Sequence, residues 1–474
     1  LVLVMPGEST DLPVVQMGAA QIAAAIRAGE LTSAEAVEAS IARIEEVNPR
    51  LNAVVTPTFE SAREAAAAAD RQIAAQGSDG LPPLFGVPIT IKDCYPVDGV
   101  RFTAGSWFHR DEVADGDAVA VERLRKAGAI ILGKTNIPDM CWGFESVNPV
   151  FGRTESARHR GYSAGGSSGG EASIIAAGGS ALGLGSDIGG SLRNPAANNG
   201  CVSLKPTTGR VPDEGHVPTV PPPVNAWNHA GPLARRVEDL ALALGVLDGS
   251  GEADLPGVEG IRCRVFTGNR SMIVSPEVKS AVRRAAGALG SAGMEVEQSP
   301  ALPIQRMTML YSHVLRKHAL PEINAELGGG ERFNWLAEVR RTLTGRARIS
   351  AEALSVYAYI AYGGVLKPGP GDADRKLERL RRQVIETVGD GVLVCPLLLV
   401  RPARHGATWL PFTQIPMAVP FNITGLPVAM VPVYWTANGL PLSVQVVAGP
   451  GKDELALAAA RELEERLGGW KPID

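Results

Sequence analysis

Residues 86–93 read GVPITIKD, residues 117–126 read DAVAVERLRK and residues 129–133 read AIILG. The first segment is an apolar run that ends on the charged pair Lys92-Asp93, the pattern of a buried strand reaching a polar edge. The second reads as a helix and the third as the next buried strand. Strand, helix and strand in this order predict a parallel crossover unit, because a tight turn cannot join two parallel strands. The expected fold class is α/β, with a large mixed, mostly parallel β-sheet covered by helices on both faces.

The flanking chain extends that frame. Thr32-Ser33-Ala34-Glu35 is a capping box ahead of AVEASIARIEEV, whose apolar positions recur at helical spacing until Asn48-Pro49. A second, Ala-rich helix is expected over 59–75. Helix is expected again at 236–247, and strand, helix and strand at 262–267, 277–290 and 294–297. Residues 300–390 read as mainly helical with a Gly/Pro break at 363–371, and strands return at 392–396 and 442–447 before a helix over 453–467. Strands at both ends of the chain around a helical insertion predict one interwoven domain over 1–474. Within it, 1–80 is the N-terminal helical part, 81–250 the core with the chemistry, and 300–390 an insertion that shapes the substrate pocket.

Composition excludes several functions. A formal net charge of −4, with 20% charged residues, gives no basic surface for nucleic acid or an anionic membrane. No apolar run approaches the roughly 20 residues a bilayer span needs. The leading LVLVMPGEST has no basic n-region and does not read as a signal peptide. Five cysteines, scattered and without a CxxC pair, suggest neither a zinc site nor a disulfide framework, and a reducing cytoplasm is the expected location. No metal is expected.

Three segments carry the chemistry: Ile91-Lys92-Asp93, the loop SAGGSSGGE at 163–171, and GLGSDIGGSLR at 183–193. Ser191 follows two glycines and precedes a short helical turn, so its hydroxyl can face a cleft. The amides of Ile188, Gly189, Gly190 and Ser191 can converge beside it as an oxyanion hole. A serine hydroxyl needs a base, and none of the seven histidines lies in these segments. A buried, uncharged lysine can serve instead, which points to Lys92, and Ser167 in its glycine cradle is suited to bridge the two.

Together, GVPITIKD (86–93), GYSAGGSSGGEAS (161–173) and GLGSDIGGSLRNPAANNGCVSLKPTTGR (183–210) closely resemble the amidase signature of serine amidohydrolases. LGKTNIPDM (132–140), GPLARRVEDLALAL (231–244), FNITGLP (421–427) and GLPLSVQVV (439–447) resemble the same family. The resemblance covers about residues 15–465 and is weakest over 300–390. It implies a Ser–cis-Ser–Lys triad in which Lys92 is the base, Ser167 follows a cis peptide bond and relays protons, and Ser191 is the nucleophile. It implies that Asp187 and Arg193 hold the loop, that Ser168 orients Lys92, and that no cofactor is required. The implied reaction is hydrolysis of a linear carboxylic amide, anilide or hydrazide through an acyl-enzyme, on a small-molecule substrate. One departure stands out: many family members read Asn-Pro-Trp after Gly-Arg-Thr, where this chain has Glu155-Ser156-Ala157-Arg158.

Two other readings compete. Gly165-Gly166-Ser167-Ser168-Gly169 satisfies the G-x-S-x-G pattern of an α/β-hydrolase-like esterase, but Arg158 to Tyr162 is not the buried strand that elbow needs. An amidotransferase A-type subunit acting on misacylated tRNA would share the signature but would need partner subunits. Self-association as a homodimer is open. The pocket is expected to be finished by Cys141-Trp142-Gly143, the 212–229 segment with Trp227 and His229, and parts of 300–420. The aromatics Trp142, Trp227, Tyr311, Phe333, Trp335 and Trp409 lean toward an apolar acyl group.

Overall fold

The computed structural model describes residues 13–251, 253–362, 373–407 and 416–473. The leading LVLVMPGEST, the break at 363–371 and Trp409 lie outside them. Thr32 caps its helix as expected: its hydroxyl accepts from the Glu35 amide at 3.1 Å, and the Glu35 carboxylate accepts from the Thr32 amide at 2.8 Å. That helix, Ser33–Leu51, runs through Pro49 and ends at Asn52 in the left-handed region, φ 50°. Pro49 sits in the last turn, where its fixed φ fits the helix and its missing N–H removes only the donor four residues on from the Glu45 carbonyl.

Thirteen short strands follow among the described residues. β1 is Val54–Pro57, β2 Pro88–Lys92, β3 Ile130–Thr135, β4 Val147–Asn148 and β5 Gly152–Arg153. β6 is Leu182–Asp187, β7 Val202–Lys205, β8 His229–Ala234, β9 Arg262–Val265 and β10 Glu295–Gln298. β11 is Val392–Pro396, β12 Val428–Trp435 and β13 Pro441–Ala448. Eleven of them form one sheet in the order β1-β3-β2-β6-β8-β7-β12-β13-β11-β9-β10. The crossover read from 86–133 is present, with β2 parallel to β3 and helix Val119–Lys126 between them.

The α/β class and the large mixed sheet stand, but the balance of pairings differs from a mostly parallel sheet. β2–β3, β2–β6, β9–β10 and β9–β11 are parallel; the other six pairings in the sheet are antiparallel. The cause is β8 and the C-terminal hairpin β12–β13, which enter the sheet centre against the direction of their neighbours. β1 is also a strand inside the part read as helical, an apolar run too short to be distinguished by period.

Every residue of β2, β3, β6, β7 and β8 is buried, so both faces of the central sheet are covered. Helix Asp453–Leu467 packs on β12 and β13, and helix Gly169–Ala176 on β6 and β8. β12 and β13, from the chain's end, pair beside β7 from its first half, which draws both ends into one sheet. Residues 300–390 contribute helices Ile304–His318, Leu320–Gly328, Trp335–Leu343, Ala351–Tyr362 and Ala373–Val388. No helix among the described residues is long and apolar enough to cross a membrane.

Candidate active site

Lys92 is the last residue of β2 and is fully buried. Its Nζ donates to Ser167 Oγ at 2.7 Å and to Ser186 Oγ at 2.8 Å. Both partners are neutral hydroxyls. The expectation that Ser168 orients Lys92 is corrected here: the Ser168 hydroxyl meets the backbone of Ser186 instead, donating to its carbonyl at 3.4 Å. Ser186 takes the second place at the amine because β6, on which it lies, is hydrogen-bonded to β2.

The Gly166–Ser167 peptide is cis. A Cβ on Gly166 would stand 2.7 Å from the Gly143 carbonyl oxygen, so only glycine fits there. Ser168 then leads into helix Gly169–Ala176, whose Glu171 accepts from Thr90 Oγ1 at 2.6 Å and Thr135 Oγ1 at 2.8 Å. Burial pushes the Glu171 carboxyl up to about 8, against the pull of those hydroxyls and of Lys92 and Lys134. A carboxyl raised in the folded state stabilises fully below its unfolded value and loses that contribution as pH climbs through its folded value. Wild-type stability is therefore expected to fall between about pH 5 and pH 8. Glu171→Gln should flatten that part of a urea-midpoint profile, and a slope unchanged by the substitution would contradict this.

The loop that carries Ser191 is held by one ion pair. Arg193 grips Asp187 with two bonds of 2.9 Å, both side chains fully buried. Arg193 also donates to Gln445 Oε1 at 2.7 Å, Asn422 Oδ1 at 2.6 Å and the Ala418 carbonyl at 3.1 Å. Asp187 in turn accepts from the amides of Gly190 at 2.7 Å and Leu192 at 3.1 Å, and from Asn422 Nδ2 at 2.8 Å. Burial pushes the Asp187 carboxyl up, but the Arg193 guanidinium overrides it and holds the group well below the usual carboxylate range. Asp187→Asn leaves Arg193 buried without its counter-charge and is expected to cost about 3–5 kcal/mol. Urea unfolding checks this as a lower midpoint at unchanged slope.

That network corrects the donor set expected beside Ser191. The Gly190 amide is spent on Asp187, with the residue at φ 115°, a conformation that favours glycine. The amides of Ile188, Gly189 and Ser191 have no partner among the described residues and remain as the available donors.

Ser167, Ser186 and Ser191 line one narrow cavity of about 300 Å³ counting its open mouth, together with Met140, Cys141, Trp142, Ile188, His216, Pro218, Val220 and Asn228. Cys141, Trp142 and four residues of the 212–229 segment, His216, Pro218, Val220 and Asn228, are among these lining residues. Gly143, Trp227 and His229 do not line it. Gly143 is packed beside Pro138 and Glu352. β8 turns the His229 ring toward Thr208 Oγ1 at 2.9 Å and the Asp187 carbonyl at 3.2 Å. Trp227 stacks on Tyr311 at 5.1 Å, and Tyr311 donates to the Ile188 carbonyl at 2.9 Å. Phe333 and Trp335 pack against Tyr357 and Tyr362. No described residue of 300–420 lines the cavity, but Tyr311 of the helical region holds Ile188, which does, and Glu352 accepts from the Phe144 amide at 3.0 Å.

Sequence reasoning missed Ser186 and His216. His216 Nε2 lies 3.0 Å from Ser186 Oγ, which ties the imidazole to the hydroxyl that Lys92 touches. Of the other fully buried lysines, Lys134 pairs with Asp93, and Lys205 is pushed down to about 7 by burial and by Arg193, but its amine donates to the Pro206 carbonyl at 2.8 Å and lines no part of the cavity.

The family profile described as Amidase matches residues 35–457. Fatty-acid amide hydrolase 2-A of Danio rerio is 35% identical, with 97% of this chain and 90% of the relative covered. Indoleacetamide hydrolase of Bradyrhizobium diazoefficiens is 34% identical, with 98% of this chain and 90% of the relative covered. A solved amidase crystal structure superposes with a TM-score of 0.80 at 27% identity, covering 95% of this chain and 100% of that one. The chain belongs to the amidase family of hydrolases.

Proposed function

We propose that this chain hydrolyses linear carboxylic amides, or related acyl C–N bonds such as anilides and hydrazides, through an acyl-enzyme on Ser191. The observation that carries the reading is the 2.7 Å contact between Lys92 and Ser167 at the wall of a cavity that Ser191 also lines. Lys92 Nζ takes the proton of Ser167 while Ser167 takes that of Ser191. Ser191 Oγ attacks the acyl carbon, and the amides of Ile188, Gly189 and Ser191 receive the oxyanion, each such donor supplying roughly 3–4 kcal/mol. The relay then runs backwards to protonate the leaving nitrogen. Water enters by the same base and releases the acid, restoring all three side chains.

Met140, Trp142, Ile188, Pro218 and Val220 give the cavity an apolar wall, which favours an apolar acyl group over a charged one. The relatives named for fatty-acid amides and for indoleacetamide agree with that preference. Each buried methylene of the acyl chain should raise kcat/KM about fourfold until the cavity is full.

A shared acyl-enzyme is tested by trapping. Amides, anilides and esters of one acid, hydrolysed with hydroxylamine present, are expected to give one ratio of hydroxamate to acid. A ratio that changes with the leaving group would mean that no common intermediate forms.

A further inference from the structure

Cys94, Cys141 and His216 are far apart in the sequence, and the cysteine spacing pointed away from any metal. The fold brings them together, with one potential ligand atom from each lying within 4.8 Å of the others. Cys94 follows β2, Cys141 ends the turn Asp139–Cys141, and His216 lies in the loop between β7 and β8. Cys94 and His216 are buried, while Cys141 is partly exposed. Cys141 and His216 both line the cavity, which gives a solute a route to the cluster.

Two sulfurs and an imidazole, without a carboxylate, are a ligand set for soft and borderline cations and a poor one for Ca²⁺ or Mg²⁺. Zn–S bonds of about 2.3 Å and Zn–N bonds of about 2.0 Å set tetrahedral separations of about 3.5–3.8 Å for two sulfurs and one nitrogen, so the groups need to close by no more than about 1–1.3 Å. His216 is oriented for the task. Its Nδ1 lies 3.2 Å from the Pro218 carbonyl, the backbone bond that metal-binding histidines commonly make with their other nitrogen. Asn228 Nδ2 lies 3.3 Å from the same Nδ1. Nε2 then points to Ser186 Oγ, which is itself 3.6 Å from Cys94 Sγ. Buried cysteines alone are ordinary core residues; two of them with an imidazole nitrogen within 4.8 Å, beside a cavity, are not.

We propose that Cys94, Cys141 and His216 bind one thiophilic divalent ion, Zn²⁺ or Cd²⁺, with the fourth position open to the cavity, and that its binding inhibits hydrolysis. Binding forms two metal–thiolate bonds and one metal–imidazole bond and releases two thiol protons to solvent. The ion takes Nε2 from Ser186, and with it a partner of one of the two hydroxyls that hold Lys92. The inhibitory part rests on the proposed function; the binding part does not.

The test titrates the full chain with Cd²⁺ and follows the cadmium–thiolate charge-transfer absorbance. One ion per chain is expected, with the band lost in Cys94→Ala and in Cys141→Ala and kept in Cys263→Ala. Cadmium NMR of the wild-type complex should report a two-sulfur, one-nitrogen set, independently of any variant's folding. Absence of the band in wild type, or its survival in the Cys94→Ala/Cys141→Ala double variant, would overturn the site. Saturating Zn²⁺ should lower turnover at least tenfold, reversed by chelator, and full turnover at saturation would overturn the inhibition. A protein without amide hydrolysis would sink the proposed function and the inhibition with it, while the cadmium titration would still decide the site.

Discussion

Ser191→Ala is expected to lower kcat by on the order of 10⁶-fold, leaving only what positioning and the amide donors supply. The substitution removes one oxygen from a residue that is 7% exposed and whose loop is held elsewhere, by Asp187, Arg193 and Asn422. The fold should therefore survive, and substrate should still bind. Single-turnover kinetics beside equilibrium binding of an amide separate the two effects. A variant that retains turnover within about tenfold of wild type would show that another group attacks the substrate, since a nucleophile cannot be dispensable.

Lys92→Met is expected to cost about 10²–10⁴-fold in kcat, the range supplied by a positioned proton acceptor. Methionine keeps the length and apolar stem of the side chain in its buried slot at the end of β2 and removes only the amine. Ser186 keeps its contact with His216, so the pocket wall is not stripped of hydrogen bonds. Lys205→Met is the control. It removes another fully buried lysine, whose amine faces the Pro206 carbonyl, and should keep most of the rate. Equal losses in the two variants would mean that buried charge, and not proton transfer from Ser167, underlies the effect.

Much of the frame was legible because its signals are local. The Thr32–Glu35 capping box and the strand–helix–strand run of 86–133 depend on neighbours in sequence, and both are present in the fold. β8 was not legible, since Gly231-Pro232 argues against a central strand, yet Pro232 sits opposite Leu184 within the sheet. The site divides in the same way. The glycine-rich loops mark where backbone must bend, and Lys92 and Ser167 meet as those loops suggest. Which hydroxyl reaches Lys92, Ser186 or Ser168, depends on strand pairing that no spacing encodes. The Gly190 amide was counted as a free donor because the carboxylate that consumes it lies three residues away on a turn whose shape the sequence leaves open. Trp227 and His229 carry attractive side chains but are directed into packing, against Tyr311 and Thr208. His216 gave no signal beyond its place in a Pro-rich loop, and Cys94 and Cys141 none beyond their number.

Ser191 is the residue on which the acyl group is expected to form. The most direct measurement is reaction of the intact protein with a fluorophosphonate, followed by digestion and mass spectrometry. A single adduct on the peptide containing Ser191, absent from Ser191→Ala and strongly reduced in Lys92→Met, is the predicted result. An adduct on Ser167 or Ser186, or equal labelling of Ser191 with and without Lys92, would contradict it.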